Sequence, residues 1–279
     1  MPDNIILSHY QVAHLSELAP QQVASLSIDL GLTNVEVQRS ISGWSLPDGQ
    51  VLSDAHLETI LKDQNGCYQL VNGELEKVET YSPSTDRYYS LMPTPSAPTL
   101  LISGIPMHRI KDTTPLEDTR QKIKALGKPH GRVLDTTTGL GYTAIQAAQT
   151  ANLVFTVEFD PAVLDICRRN PWSAGLFTHL NIQPLIGDSA DLAAVFADET
   201  FNAILHDPPT FSLAGQLYSG ELYRTFYRIL KPGGRLFHFI GSPNSRYGAT
   251  TGRGVVTRLR RAGFRVVPKE RAFGVLGVK

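Results

Sequence analysis

Cysteine is nearly missing from this sequence: Cys67 and Cys167 are the two present in 279 residues, and no C-x-x-C spacing occurs. A disulfide framework and a cysteine zinc site are thereby excluded, leaving two reduced, partly buried thiols. The eight histidines show no metal-ligand spacing either, so no metal is expected. Long apolar runs are also lacking, since none approaches the roughly 18–20 residues a membrane-spanning helix needs. The first residues, MPDNIILSHYQ, have neither the basic n-region nor the apolar core of a signal peptide. A soluble, cytoplasmic protein is the expectation. Low-complexity tracts and fixed-period repeats are absent too.

Charge of one sign is scarce at each end. Residues 1–100 hold four basic side chains (Arg39, Lys62, Lys77, Arg87) against twelve acidic ones, net −8. Residues 224–279 hold thirteen Lys or Arg and one acid, Glu270, net +12. Such asymmetry within a formally neutral chain is a footprint of a polyanionic partner, with solvated charge on helix faces as the alternative.

What is present suffices for a packed core: 42% of residues are hydrophobic, and the length suits one large domain or two modest ones. Residues 1–81 carry short β-branched or alternating runs (VASLSIDLGL, NVEVQRSISGW, CYQLV) separated by turn signals at Pro47-Asp48-Gly49 and Asn72-Gly73. One helix, SDAHLETILK, starts at Ser53 or Asp54. These features predict a small β-rich N-terminal domain. Residues 82–106 are proline-rich and read as a connector. From 107 to 279 strand-like runs alternate with helical ones, which predicts a mostly parallel, doubly wound α/β sheet.

Ligands of such sheets sit outside the C-terminal strand ends, where the strand order reverses. The first strand ends in DTTTGLG, placing Asp135, Thr137, Gly139 and Gly141 ahead of a helix that opens at Tyr142 or Thr143. The glycines let backbone approach a ligand, although Ala144 occupies the third glycine position of a G-x-G-x-x-G motif. The second strand ends in Glu158, whose carboxylate can accept both hydroxyls of a ribose. The third ends in Gly187-Asp188, where Asp188 can accept from an adenine amine or orient its own loop.

Residues 131–240 resemble a class I S-adenosylmethionine-dependent methyltransferase. The resemblance rests on Asp135, Gly139, Gly141, Glu158, Asp188 and the LKPGGRL segment. It implies a Rossmann-like domain with S-adenosylmethionine as cofactor, the glycine loop cupping its methionine part and Glu158 its ribose. Thr137 and Tyr142 complete the candidate cofactor set. GIPMHRI, DTTTGLGYTA, NPWS and HDPPTFSLAGQLYS resemble a group of archaeal-type RNA methyltransferases, some of which act on ribosomal RNA. The implied substrate is an RNA base at an exocyclic amine, cytosine N4, free or within a ribosomal particle.

The fourth strand ends in Asp207-Pro208-Pro209. The Asp207 carboxylate and Pro208 carbonyl can accept both N–H bonds of an amine, and the rigid prolines suit preorganisation. Phe211 can stack on a base, with Pro209 and Thr210 lining the approach. An aromatic usually follows the second proline in amino-methyltransferases, whereas here Thr210 intervenes. Guanine N7 therefore remains open, as do a small molecule or protein as substrate. A non-enzymatic RNA-binding assembly factor is a further alternative. His108, Arg109, Arg246 and Arg253 are further candidates for substrate contact, and Trp172 either covers the adenine or is core.

Overall fold

The structure is a computed structural model that describes residues 5–18, 22–242 and 246–279. The chain divides into two units, Met1–Leu116 with Ala162–Ala174, and Glu117–Pro161 with Gly175–Lys279.

The first unit holds three antiparallel sheets. One pairs Ile5–Leu7, Tyr68–Val71 and Glu74–Lys77. Its hairpin turns at Asn72-Gly73, both left-handed, with Val71 opposite Glu74. A second runs Val23–Leu26, Val35–Ser40, Gly43–Ser45, Val51–Leu52. Trp44, Leu26, Leu52 and Ile60 are buried together in its core. Ile60 comes from the helix Asp54–Lys62, which Ser53 caps by accepting from the His56 N–H.

The segment read as a connector is largely sheet. Glu79–Ser82, Arg87–Met92, Thr99–Ile102 and Ile105–Pro106 form the third, four-stranded sheet. Its prolines misled because they punctuate rather than interrupt. Pro83, Pro93, Pro95 and Pro98 fall between strands, and Pro106 lies on an edge strand, where a missing N–H costs no ladder bond. Residues 162–174 also belong to this unit. There the Trp172 indole N–H donates to the Leu30 carbonyl at 3.0 Å, which packs this residue within the first unit.

The second unit is built on seven strands: β1 (Arg132–Asp135), β2 (Leu153–Glu158), β3 (Ile182–Ile186), β4 (Phe201–His206), β5 (Leu230–Phe239), β6 (Arg265–Lys269) and β7 (Gly274–Val278). Their order is β3-β2-β1-β4-β5-β7-β6, parallel except for β7. Pro184 and Pro268 sit in β3 and β6, the two edges. Its longer helices are α1 (Pro115–Leu126), α2 (Tyr142–Ala148), α4 (Ser189–Val195), α5 (Gly220–Ile229) and α6 (Arg246–Arg261), while α3 (Pro161–Arg169) falls almost wholly in the residues of the first unit. In α5 the residues Leu222, Tyr223, Phe226 and Ile229 recur at helical spacing and are buried with Phe201, Ile204, Leu236, Val255 and Leu259. Each such side chain contributes about 1.5–3 kcal/mol by leaving water.

The order reverses between β1 and β4, and that crevice is where the chemistry gathers. Among the described residues no helix is long and apolar enough to cross a membrane.

Candidate active site at the heads of β1, β2 and β4

Parallel register sets the first contacts. Asp135 ends β1 opposite Thr156 of β2, and its Oδ2 accepts from the Thr156 and Thr143 hydroxyls at 3.2 and 2.9 Å. Among the described residues its buried Oδ1 has no hydrogen-bond partner. Burial pushes the Asp135 carboxyl up to about 7, against the stabilising bonds of Thr143, Thr156 and the Thr137 N–H. The glycine loop follows. Gly139 has φ +51, and a Cβ there would meet nothing within 4 Å. Gly141, with φ +77, begins α2 against the Leu176 side chain. Glu158 folds back onto this loop, its Oε2 accepting from the Gly139 N–H at 3.0 Å and its Oε1 from the Asp160 N–H at 3.2 Å. Burial raises its carboxyl to about 7 as well. Phe159, which sequence reasoning passed over, is 57% exposed beside it.

Two loops are tied to this head. The Ser189 hydroxyl donates to the Thr136 carbonyl, and Asp188 caps α4 by accepting from the Ala190 N–H at 2.7 Å. Asp188 is thus engaged in orienting its own loop. Thr137 donates its hydroxyl to the Asp207 carbonyl at 2.8 Å, joining the exit of β1 to that of β4. Tyr142 is buried, 4% exposed, at the start of α2.

At the exit of β4, Asp207 forms an ion pair absent from the sequence reading. Its Oδ2 lies 2.5 Å from Nζ of Lys122, which also lies 2.7 Å from Oδ2 of Asp118 and 4.7 Å from the Phe239 ring centroid. Lys122 and Asp118 are fully buried, while the Asp207 side chain is 19% exposed. Burial alone would lower the Lys122 pKa, but Asp207 and Asp118 outweigh it and the ammonium is held. Asp207 is raised by burial, Lys122 opposing and Asp118 adding to the rise. Among the described residues its Oδ1 has no partner, nor has the Pro208 carbonyl. A signal for this cluster existed: the buried stripe of α1 is Pro115, Asp118, Thr119, Lys122, Ala125 and Leu126, so two charges occupy positions where helical periodicity demands apolar residues.

Beneath this exit His206 and His238 stand opposite each other, ring centroids 4.4 Å apart. The His206 Nε2–H donates to the Leu217 carbonyl at 2.8 Å, so Nδ1 faces the Thr136 hydroxyl as an acceptor. Burial keeps this imidazole neutral by lowering its pKa to about 4. Both histidines brace strands, as their positions in the sequence suggested. Pro208 is buried and Pro209 half-buried, its carbonyl accepting from the Tyr218 hydroxyl at 2.9 Å. Thr210 is exposed, and Phe211 is 50% exposed with its ring 5.5 Å from Tyr218.

The remaining candidates divide. His108 and Arg109 belong to the first unit, where the His108 ring meets the Thr99 hydroxyl at 3.0 Å. Arg253 is exposed on α6, and Arg246 begins that helix with its side chain outside the described residues. Arg258 is half-buried and bears on the Tyr223 hydroxyl, so it is no free surface cation.

These residues fit the expected cofactor. The orphaned Asp135 Oδ1 and the open side of Gly139 would hold its methionine part, and the Glu158 carboxylate its ribose. Sheet order, glycine turn and strand-ending acids are the framework of an S-adenosylmethionine-dependent methyltransferase domain. The family described as "Methyltransferase domain" matches residues 133–234. The chain is 43% identical over 261 residues to the uncharacterized protein MJ1233 of Methanocaldococcus jannaschii, covering 91% of this chain and 88% of that one, and it belongs to the same family. A polyamine aminopropyltransferase of Mycobacterium tuberculosis is 32% identical over 122 residues, 41% of this chain and 23% of its own length. A spermidine synthase crystallised with the transition-state analogue AdoDATO superposes with TM-score 0.59 at 16% identity, covering 72% of each chain, a likeness of fold.

Proposed function

We propose that this methyltransferase acts on a nitrogen nucleophile, an amine of a small molecule, held at Asp207. The observation that carries this reading is the uncommitted Oδ1 of Asp207, with the Pro208 carbonyl beside it in sequence, at the partly exposed edge of a buried ion pair. When bound, S-adenosylmethionine supplies an electrophilic methyl group whose C–S bond breaks onto sulfur as the new N–C bond forms. The protein has to aim the nitrogen and take its proton. Asp207 Oδ1 accepts the substrate N–H and receives that proton, while Pro208 holds a second N–H in line. The aminopropyltransferase relative, named for polyamines, supports an amine as acceptor.

A second reading, an RNA base at its exocyclic amine such as cytosine N4, is favoured by Arg253, Arg260, Arg261 and Arg265. All four are exposed and form no ion pair among the described residues. Tritium transfer from labelled S-adenosylmethionine to spermidine, putrescine and total RNA separates the two. Label in an amine, insensitive to salt, supports the first reading. Label in RNA that falls steeply with salt supports the second. In either case Asp207→Asn should lower kcat by about 10²–10⁴ with cofactor affinity kept. Full turnover by that variant would remove Asp207 from the reaction.

A further inference from the structure

The Asp118–Lys122–Asp207 array is an unusual thing to bury. Taking ions out of water costs several kcal/mol each, and an apolar replacement is often as stable. Two carboxylates share one ammonium here, and only the outermost, Asp207, reaches the surface of the crevice. Apolar packing of α1 would have sufficed for the fold, so the array is best accounted for by what it does to Asp207. A free aspartate rotates about χ1 and χ2 and presents either oxygen. Lys122 removes that freedom by holding Oδ2, the Thr137 hydroxyl holds the backbone carbonyl of the same residue, and the neighbouring Pro208 fixes its own φ.

We propose that Lys122 and Asp118 are positioning residues for methyl transfer: Asp118 anchors the Lys122 ammonium, and Lys122 pins Oδ2 of Asp207 so that Oδ1 alone is presented to the substrate nitrogen. This rests on the reading of Asp207 as the nitrogen's acceptor. The two partners also act on Asp207 in opposite senses. The ammonium favours its charged form, and Asp118 disfavours it. Among the described residues, Asp135 at the end of β1 and the neutral His206 preceding it are further ionisable groups beside Asp207. Both are constant in the variants below.

The test uses the full chain. Lys122→Met alone leaves two buried carboxylates uncompensated and is a poor folder, so the informative pair is Asp118→Asn and Asp118→Asn/Lys122→Met, the latter keeping the wild-type net charge of the array. Carboxyl-carbon NMR of labelled aspartates, with Asp207 assigned by Asp207→Asn, reads its titration without any substrate. The midpoint should fall in Asp118→Asn relative to wild type, and rise by at least one unit from that value in the double variant. Kinetics follow on whichever of spermidine, putrescine or total RNA is labelled. The double variant should lose at least 100-fold in kcat with the cofactor Kd within threefold of wild type, and the Lys122→Arg variant should recover part of kcat. A folded double variant with kcat within threefold of wild type overturns the proposal, as does a midpoint equal in the two variants. If Asp207→Asn keeps its turnover while the midpoints move as expected, the role of Asp207 fails and the coupling to Lys122 stands.

Discussion

Asp207, Glu158 and Asp135 show how one functional group, the carboxylate, takes different chemistry from its surroundings. Glu158 has both oxygens on backbone N–H groups, and a carboxylate offers about four acceptor sites, so ribose hydroxyls can add to the existing bonds. Glu158→Ala should weaken S-adenosylmethionine binding at least tenfold in calorimetric titration while leaving the melting temperature of the free protein nearly unchanged. Asp135 shares the raised pKa of Glu158 but lies wholly buried. Its folded-state pKa is about 7 against an ordinary value of 3.8, so the folded protein favours the protonated form. The stability this provides is present below pH 4 and is lost as pH rises towards 7. Asp135→Asn does not titrate, so its stability relative to wild type should improve by roughly 2–4 kcal/mol between pH 4 and pH 8 in urea unfolding. A flat difference would mean that Asp135 stays ionised across that range. At this scale the sequence was informative where a residue's function follows from its place at a strand end. Asp207 was legible beside its prolines. For Lys122 the stripe of α1 gave only the hint of a charge among apolar positions, because Asp207 lies 85 residues away and only packing brings the two together.

Among the elements, the turn from β1 into α2 separates two uses of glycine. At Gly141 a Cβ would lie 3.2 Å from the Leu176 side chain in a left-handed conformation, so Gly141→Ala should cost about 1–3 kcal/mol of stability. At Gly139 the space is open, and the cost of Ala is mainly the positive φ, about 1 kcal/mol. Its methyl group would instead enter the space assigned to the cofactor. Thermal melts should therefore rank Gly141→Ala below Gly139→Ala, and cofactor titrations should show the greater loss of affinity for Gly139→Ala. The doubly wound strands were readable because apolar runs of four to six residues end in Gly, Asp or Pro. Strands Arg87–Met92 and Thr99–Ile102 were not, because their prolines carry a local loop signal that pairing overrides.

At the scale of the whole chain, the cofactor should be a large part of working stability. At 100 times its Kd a ligand of the folded state adds about 2.7 kcal/mol, so melting should rise by about 5–10 °C. A tenfold loss of affinity in Glu158→Ala should cut the rise to about half at the same concentration, and a larger loss should cut it further. An unchanged melting temperature in the wild type at saturating S-adenosylmethionine would contradict a preformed site. By itself, the sequence determined the alternation of strands and helices from β1 to β6 apart from α4, the glycine turn and the acids at the strand ends, since periodicity, turn chemistry and strand termination are local properties of the chain. Only tertiary structure decided that Glu158 closes on the Gly139 N–H, that Trp172 packs against Leu30, and that Asp118 and Lys122 converge on Asp207. These contacts join residues far apart in the chain, and a buried charge becomes tolerable only where the fold delivers its counter-charge.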